Sequence, residues 1–246
     1  MKDIDLKDLL EAGCHFGHQK NRWNPKAAPF IYGDREGVHI VDLIQTKAGL
    51  VKAAEFLFDL AKNNGTVLFV GTKRQASPVV EENAKKVKEA VPVNNNFYVL
   101  LDRWPGGLLT NFVTIKKNNL DTILKLNEDI SSNNFVTKKE KLLATRKLTK
   151  YDRVYGGLVG LEKIPDAVFF VDIKRDYVAI KEANRTGVKV VAITDTNTDP
   201  TPVDFGIPAN DDAVGSVKII IDYLVDAWIE GLQTRNKKVD AEINSA

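Results

Sequence analysis

The chain has one cysteine, one methionine and three histidines in 246 residues. A lone cysteine excludes an internal disulfide framework and the zinc sites built on paired cysteines. It fits a reducing compartment, and a cytoplasmic location is expected. Long apolar runs are missing as well. The best, around Ile219-Ile220-Ile221, is broken by Asp222 and Asp226, so no membrane contact is expected. The opening Met1-Lys2-Asp3-Ile4-Asp5 is acidic, without the apolar stretch of a signal peptide. Phosphate-cradling glycine loops are also lacking. "GTKRQAS" (71–77) follows a strand pattern and precedes a helix pattern, yet it is neither G-x-G-x-x-G nor a Walker loop. This argues against a dinucleotide enzyme.

What is present is ordinary globular composition, 43% hydrophobic and 28% charged, long enough for one large α/β domain or two small ones. The net charge of +2 conceals a segregation. From Arg103 to Arg153 there are 11 Lys or Arg against 5 acids, and from Asp195 to Glu230 there are 8 acids against Lys218 alone. Between Gly13 and Gly33 stand Lys20, Arg22 and Lys26 with no acid. Such a chain can turn a basic face to a polyanion and an acidic face elsewhere.

Leu6, Leu9 and Leu10 before Gly13 predict a short helix, followed by a polar loop to Pro29. "FIYGDREGVHIVD" predicts a hairpin with a longer turn around Gly33 to Gly37, and the helical spacing of Ala48, Val51, Ala54, Leu57, Phe58 and Ala61 predicts a helix ending near Gly65. Beyond it, "TVLFV", "FYVL", "DAVFFVD", "VKVVAITD" and "VDFGIP" read as strands. Helices alternate with them: one capped by Ser77 with Pro78 first, one over "DYVAIKEANRTG", and a long one from Asp211 to Leu232. Apolar strands alternating with amphipathic helices indicate a parallel sheet covered on both faces. The exception is Thr110–Arg153, two helix patterns separated by "SSNNF", the second opening on the capping-box spacing Thr137–Glu140. With few apolar residues to bury, it reads as a projecting basic arm of two antiparallel helices.

"CHFGHQKNRWNPK" (14–26) holds the cysteine and two of the histidines. A Cys14 nucleophile with a neighbouring histidine base is weak, because nucleophile and base normally meet across a fold. A mixed site is chemically sound: His15 or His18 joining Asp195, Asp211 and Asp212 around a single divalent ion, zinc if histidine contributes and magnesium if only carboxylates do. Against it stands the simpler reading that Asp211 caps its helix. Asp172 and Asp195 close strands, where α/β enzymes place carboxylates, so an enzyme using His18, Asp172 and Asp195 is the alternative function. The loops "HQKNRWNPK", "GTKRQ" and "DRWPGG" share another character, cations beside aromatics, amides and glycine. Lys and Arg neutralise phosphates and Trp stacks on unpaired bases. Lys20, Arg22, Trp23, Lys26, Lys73, Arg74, Arg103 and Trp104, with Lys116, Lys117, Lys138, Lys139 and Arg146 of the arm, are the expected RNA contacts. Trp23 and Trp104 are equally readable as packed anchors. The acidic segment, with Asp199, Asp204, Asp211 and Asp212, is the expected protein-docking face.

Taken in order, "AGCHFGHQKNRWNPK", "PFIYG", "VHIVDL", "LFVGTKRQA", "RWPGGLLTN", "IPDAVFFVD", "AIKEANRTG", "ITDTNTDP" and "VDFGIPANDDA" resemble the bacterial type of small-subunit ribosomal protein two, over nearly the whole chain. Departures are Pro105 in the W-x-G-G turn and a small insertion at "VPVNNN". The resemblance implies a flavodoxin-like, doubly wound α/β domain with an inserted coiled-coil hairpin. The expected division is 1–109 with 154–232 as one discontinuous domain, 110–153 as the hairpin, and 233–246 as a polar tail. It also implies a non-catalytic role requiring no cofactor: binding small-subunit ribosomal RNA beside other ribosomal proteins and supporting the large mRNA-binding one. No homo-oligomer is expected.

Overall fold

Asp5 accepts a hydrogen bond from the Lys7 amide and starts α1 (Leu6–Glu11), in a computed structural model that describes residues 3–135 and 137–244, with side chains described as far as residue 237. Met1-Lys2 and the last two residues of the polar tail lie outside the described residues. The stretch expected to be loop contains a strand, β1 (Phe16–Gln19). Its sequence, FGHQ, carries no strand signal, and only pairing supports it. The expected hairpin follows as β2 (Ile31–Arg35) and β3 (Val38–Val41), and β1 pairs antiparallel with the free edge of β3. The turn is shorter than expected: Arg35 pairs with Val38, and the two residues between them, Glu36 and Gly37, both take positive φ (54° and 81°), the requirement of a type I′ turn. α2 (Leu43–Lys62) begins on Asp42, whose carboxylate accepts from the Ile44 amide.

Then come β4 (Val67–Val70), α3 (Ser77–Ala90) and β5 (Phe97–Leu100). Ser77 is the first residue inside α3 rather than its cap, which is Ala76, and no side chain caps that end. The next stretch forms α4 (Phe112–Ile115), a π-helical turn over Lys116–Leu120, α5 (Asp121–Ser131) and α6 (Lys138–Tyr155). The capping box forms as expected, with Glu140 N donating to Thr137 Oγ1 and Thr137 N donating to Glu140 Oε2, both at 3.2 Å. α5 lies against α6. The expectation that this stretch buries little holds for α6, which has no buried residue, but fails earlier: Phe112, Ile115, Leu120 and Ile123 are in the core.

The chain ends with β6 (Ala167–Phe170), α7 (Tyr177–Thr186), β7 (Lys189–Thr194), β8 (Phe205–Pro208) and α8 (Val214–Asn244). The long helix starts at Val214, not Asp211, because Asn210 holds the residues before it in a turn: Asn210 Oδ1 accepts from the amides of Asp212 (2.8 Å) and Ala213 (3.3 Å), and Val217 N donates back to the Ala213 carbonyl.

β4 to β8 form one parallel sheet in the order β5-β4-β6-β7-β8. Numbered along the chain that is 2-1-3-4-5, the flavodoxin-like order. Successive residues of a strand point to opposite faces, so Val67, Phe69, Phe169, Val191 and Ile193 enter one core, with α2, α3 and α8. Leu68, Val70, Phe170, Val190 and Ala192 enter the other, with α4 and α7. Every residue of β4 and β6 is buried, which is why those strands are continuous apolar runs. α8 crosses α2 at Gly231, where a Cβ would lie 2.5 Å from the Phe58 carbonyl oxygen.

Candidate functional site

In a 2-1-3-4-5 sheet the strand order reverses between β4 and β6, and ligands of such folds bind outside the carboxyl ends of the strands there. Here that crevice is filled by the protein's own charges. Lys73, in the turn after β4, is 9% exposed and places Nζ 2.8 Å from Asp211 Oδ1, 2.8 Å from Asp212 Oδ1 and 3.4 Å from Asp172 Oδ2. Burial acts to lower the Lys73 ammonium, but the bonds to Asp211 and Asp212 outweigh it and its pKa is raised. Burial and the neighbouring Asp195 push Asp211 up to about 7, against the pull of Lys73. The bond to Lys73 holds Asp212 below the usual carboxylate range.

His18 closes the other side. Gly17 lets β1 press against the loop after β7, since a Cβ there would lie 2.7 Å from Thr196 Cγ2 and 3.0 Å from the His39 carbonyl oxygen. The His18 amide donates to Thr196 Oγ1 at 2.9 Å. This sets His18 Nδ1 3.0 Å from Asp195 Oδ1 and Nε2 3.3 Å from Asp212 Oδ2. The hydrogen bond to Asp195 raises the imidazole pKa against the opposing effect of burial. His18, Asp195 and Asp211 each offer a ligand atom, all within 4.8 Å of one another. One imidazole with two carboxylates suits zinc better than magnesium. His15 does not join them. Its Nδ1 is buried without a hydrogen-bond partner among the described residues, and its ring packs on Phe16 at 4.0 Å. Asp211 is thus a buried partner of Lys73 and not a helix cap. Cys14 is buried, its thiol pKa raised by that burial, and is no nucleophile.

The expected RNA contacts divide. Arg22, Arg74, Arg103, Lys117, Lys138, Lys139 and Arg146 are exposed and form no ion pair among the described residues. Lys20 faces Asp34 at 3.7 Å, Lys26 pairs with Asp199 at 2.6 Å, and half-buried Lys116 reaches the Glu162 carbonyl at 3.5 Å. Lys73 is withdrawn from any RNA by its burial among carboxylates. Trp104 is withdrawn as a stacking platform: its ring packs on Phe170 at 5.9 Å, and Nε1 donates to Glu182 at 3.3 Å. Trp23 remains 39% exposed, 5.4 Å from His39.

The expected acidic face is dispersed. Asp199 is held by Lys26, Asp204 by Lys189 (2.8 Å) and the Val190 amide (2.9 Å), and Asp211 and Asp212 by Lys73. Asp204 precedes β8, at the amino end of the sheet, whereas Asp211 and Asp212 follow it, at the opposite edge. They do not make one surface.

Glu182 went unnoticed in the sequence. It is 9% exposed, and its carboxylate accepts from Trp104 Nε1 (3.3 Å), Gly107 N (2.7 Å) and Leu109 N (3.1 Å), fixing "RWPGGLLT" onto α7. Its signal was an acid one helical turn from Ala179, beside Ala183 on the stripe that enters the core.

The ribosomal protein S2 family model matches residues 9–231. The chain is 46% identical over 245 residues to small ribosomal subunit protein uS2 of Bacteroides thetaiotaomicron, covering 98% of this chain and 85% of that one. It is 45% identical to the uS2 protein of Dictyoglomus thermophilum over 99% of this chain and 96% of the relative. With the uS2 protein of Geotalea uraniireducens the identity is 42%, over 100% and 93%. With the match running from α1 into α8, the chain belongs to the ribosomal protein S2 family.

Proposed function

We propose that this chain is a structural, non-enzymatic constituent of the small ribosomal subunit, acting in translation in the cytoplasm and binding ribosomal RNA through its exposed cations. The observation that carries the reading is the near full-length identity to proteins named for that subunit. The site supports it in two ways. The crevice where an α/β enzyme would hold its ligand is closed by Lys73 and its carboxylates. The exposed cations flank it and continue along α6, and such cations bind phosphates without reading sequence. α5 and the strongly basic α6, which lie against each other, serve as the inserted arm. Membrane residence is not part of the reading: among the described residues no helix is long and apolar enough to cross a membrane. The test is the variant Arg22→Glu, Arg74→Glu, Lys139→Glu, Arg146→Glu, which leaves the buried Lys73 intact. It is expected to stay in the free pool when lysate is sedimented; normal entry into small subunits would refute the RNA surface.

Docking of the large mRNA-binding protein of the subunit is part of the same reading, supported by the family. Particles assembled without this chain should lack that neighbour, and full occupancy there would overturn the docking role. A divalent ion on His18, Asp195 and Asp211 is a second reading, favoured by their mutual 4.8 Å spacing. Bound there, the ion would supply the positive charge that ties β1 to the loops after β7 and β8. Metal analysis of purified protein, with thermal melts in chelator, decides it: no metal and an unchanged melt dismiss the site.

A further inference from the structure

A second opening lies on the same edge of the sheet, away from the Lys73 cluster. It is a cleft of about 560 Å³ between the loop leaving β6 and the loop leaving β7, roofed on one side by Asn24 and Lys26. Its floor is apolar, with Ile173, Ile180 and Pro202, and Tyr177 stands on its wall 50% exposed. Lys174 and Lys181 stand with Lys26 among its lining residues. Asp199 is the acid among those residues, and it is already paired with Lys26. Lys181 Nζ sits 4.3 Å from the centre of the Tyr177 ring. Asn197 also lines the cleft, and its Oδ1 has no hydrogen-bond partner among the described residues.

We infer that this cleft receives one unstacked nucleotide of RNA, its base lying on Tyr177 over the apolar floor and its phosphates held by Lys174 and Lys181, while Lys26 stays paired with Asp199 at the rim. The inference deepens the RNA-binding reading above and rests on it. Three elements of the cleft correspond to three parts of a nucleotide. Sequence-tolerant RNA binding uses an aromatic face for the base, stacking with a contribution from a nearby cation. The amides of Asn24 and Asn197 match the hydrogen-bonding edge of a base. The lysines match the backbone, and their excess over free acid favours a phosphate-bearing occupant over a neutral protein side chain. The size agrees too, since small-ligand sites occupy roughly 300–1,000 Å³.

The test uses full-length protein and two probes, a fluorescein-labelled mixed-sequence single-stranded RNA 12-mer and an RNA duplex of the same length. Tyr177 is exposed, so Tyr177→Ala should melt with the wild type. It should weaken binding to the single strand roughly 5- to 150-fold and leave duplex binding unchanged. Lys174→Ala with Lys181→Ala should lower the slope of log affinity against log salt by about 1.4 for the single strand. Arg146→Ala, on α6, should weaken both probes alike. If Tyr177→Ala binds the single strand like wild type while Arg146→Ala loses affinity, the RNA reading stands and the nucleotide cleft is wrong. If wild type binds neither probe, the RNA reading fails and the cleft falls with it. If Tyr177→Ala keeps RNA affinity but small subunits carrying it lose a neighbouring protein, the occupant is a protein side chain and the inference is overturned.

Discussion

Replacing Glu182 with alanine should unlatch the Trp104–Thr110 loop from α7. The carboxylate is buried with no lysine or arginine beside it among the described residues, and its charge is met by N–H groups: Trp104 Nε1, Gly107 N and Leu109 N within 3.3 Å, with Thr110 N and Oγ1 more weakly at 3.5 Å. A buried donor left without its acceptor costs about 1–3 kcal/mol. Leu109 is fully buried and bears the whole penalty, whereas Trp104 and Gly107 are half-buried and water can recover part of theirs. The sum for Glu182→Ala is therefore about 3–5 kcal/mol, read as a lower urea midpoint with unchanged slope. Glu182→Gln keeps the shape and one acceptor oxygen. Its NH2 must face one group of donors, so roughly half the loss, ~2 kcal/mol, is expected. Amide hydrogen exchange at Gly107 and Leu109 should accelerate in both variants. Midpoints within ~0.5 kcal/mol of wild type, with those amides still protected, would refute the latch.

Lys73→Met should destabilise by about 3–5 kcal/mol, because it strands the buried Asp211, whereas the exposed Asp212 can turn to water. Adding Asp211→Asn should recover part of that, and a double variant no better than the single would show that the pair is not coupled. Asp176 accepts from Thr72 Oγ1 at 2.9 and 3.1 Å, and its carboxyl is raised to about 6, chiefly by burial, with Asp172 raising it and Arg175 lowering it. A folded pKa above the unfolded 3.8 means that the native state binds the extra proton. Stability contributed by this group is therefore lost as pH rises from about 4 to about 6, with the penalty complete above that window. Asp176→Asn retains an acceptor for Thr72 and should stabilise the protein by about 1–3 kcal/mol at pH 7.5 and by almost nothing at pH 4. Equal gains in urea melts at both pH values would rule out titration as the cause.

Much of the architecture was legible because local patterns and tertiary needs agreed. "TVLFV" and "DAVFFVD" are apolar throughout since β4 and β6 are covered on both faces, whereas the hairpin turn, expected to be longer, is the two-residue Glu36-Gly37 because β2 keeps pairing with β3 through Arg35 and Val38. β1 was not legible, because FGHQ becomes a strand only through the partner that β3 offers. The helical stretch after Thr110 was misjudged in its depth of burial. Its apolar residues are few, but Phe112, Ile115 and Leu120 serve the core under β5 and β6, and Ile123 is buried too.

The sequence by itself determined the alternation of strands and helices, the run of cations between Arg103 and Arg153, and the family. Each is carried by side-chain type and spacing along the chain, which folding does not change. Tertiary structure decided which charges remain available. Eight acids between Asp195 and Glu230 promised a negative face, but Lys26, Lys73, Lys86 and Lys189, all outside that segment, fold onto Asp199, Asp211 with Asp212, Asp226 and Asp204. A cation placed within 4 Å of a carboxylate cancels its field however far away it stands in sequence. For the same reason Lys73, read as a phosphate ligand from its loop, became the buried counter-ion of the sheet edge.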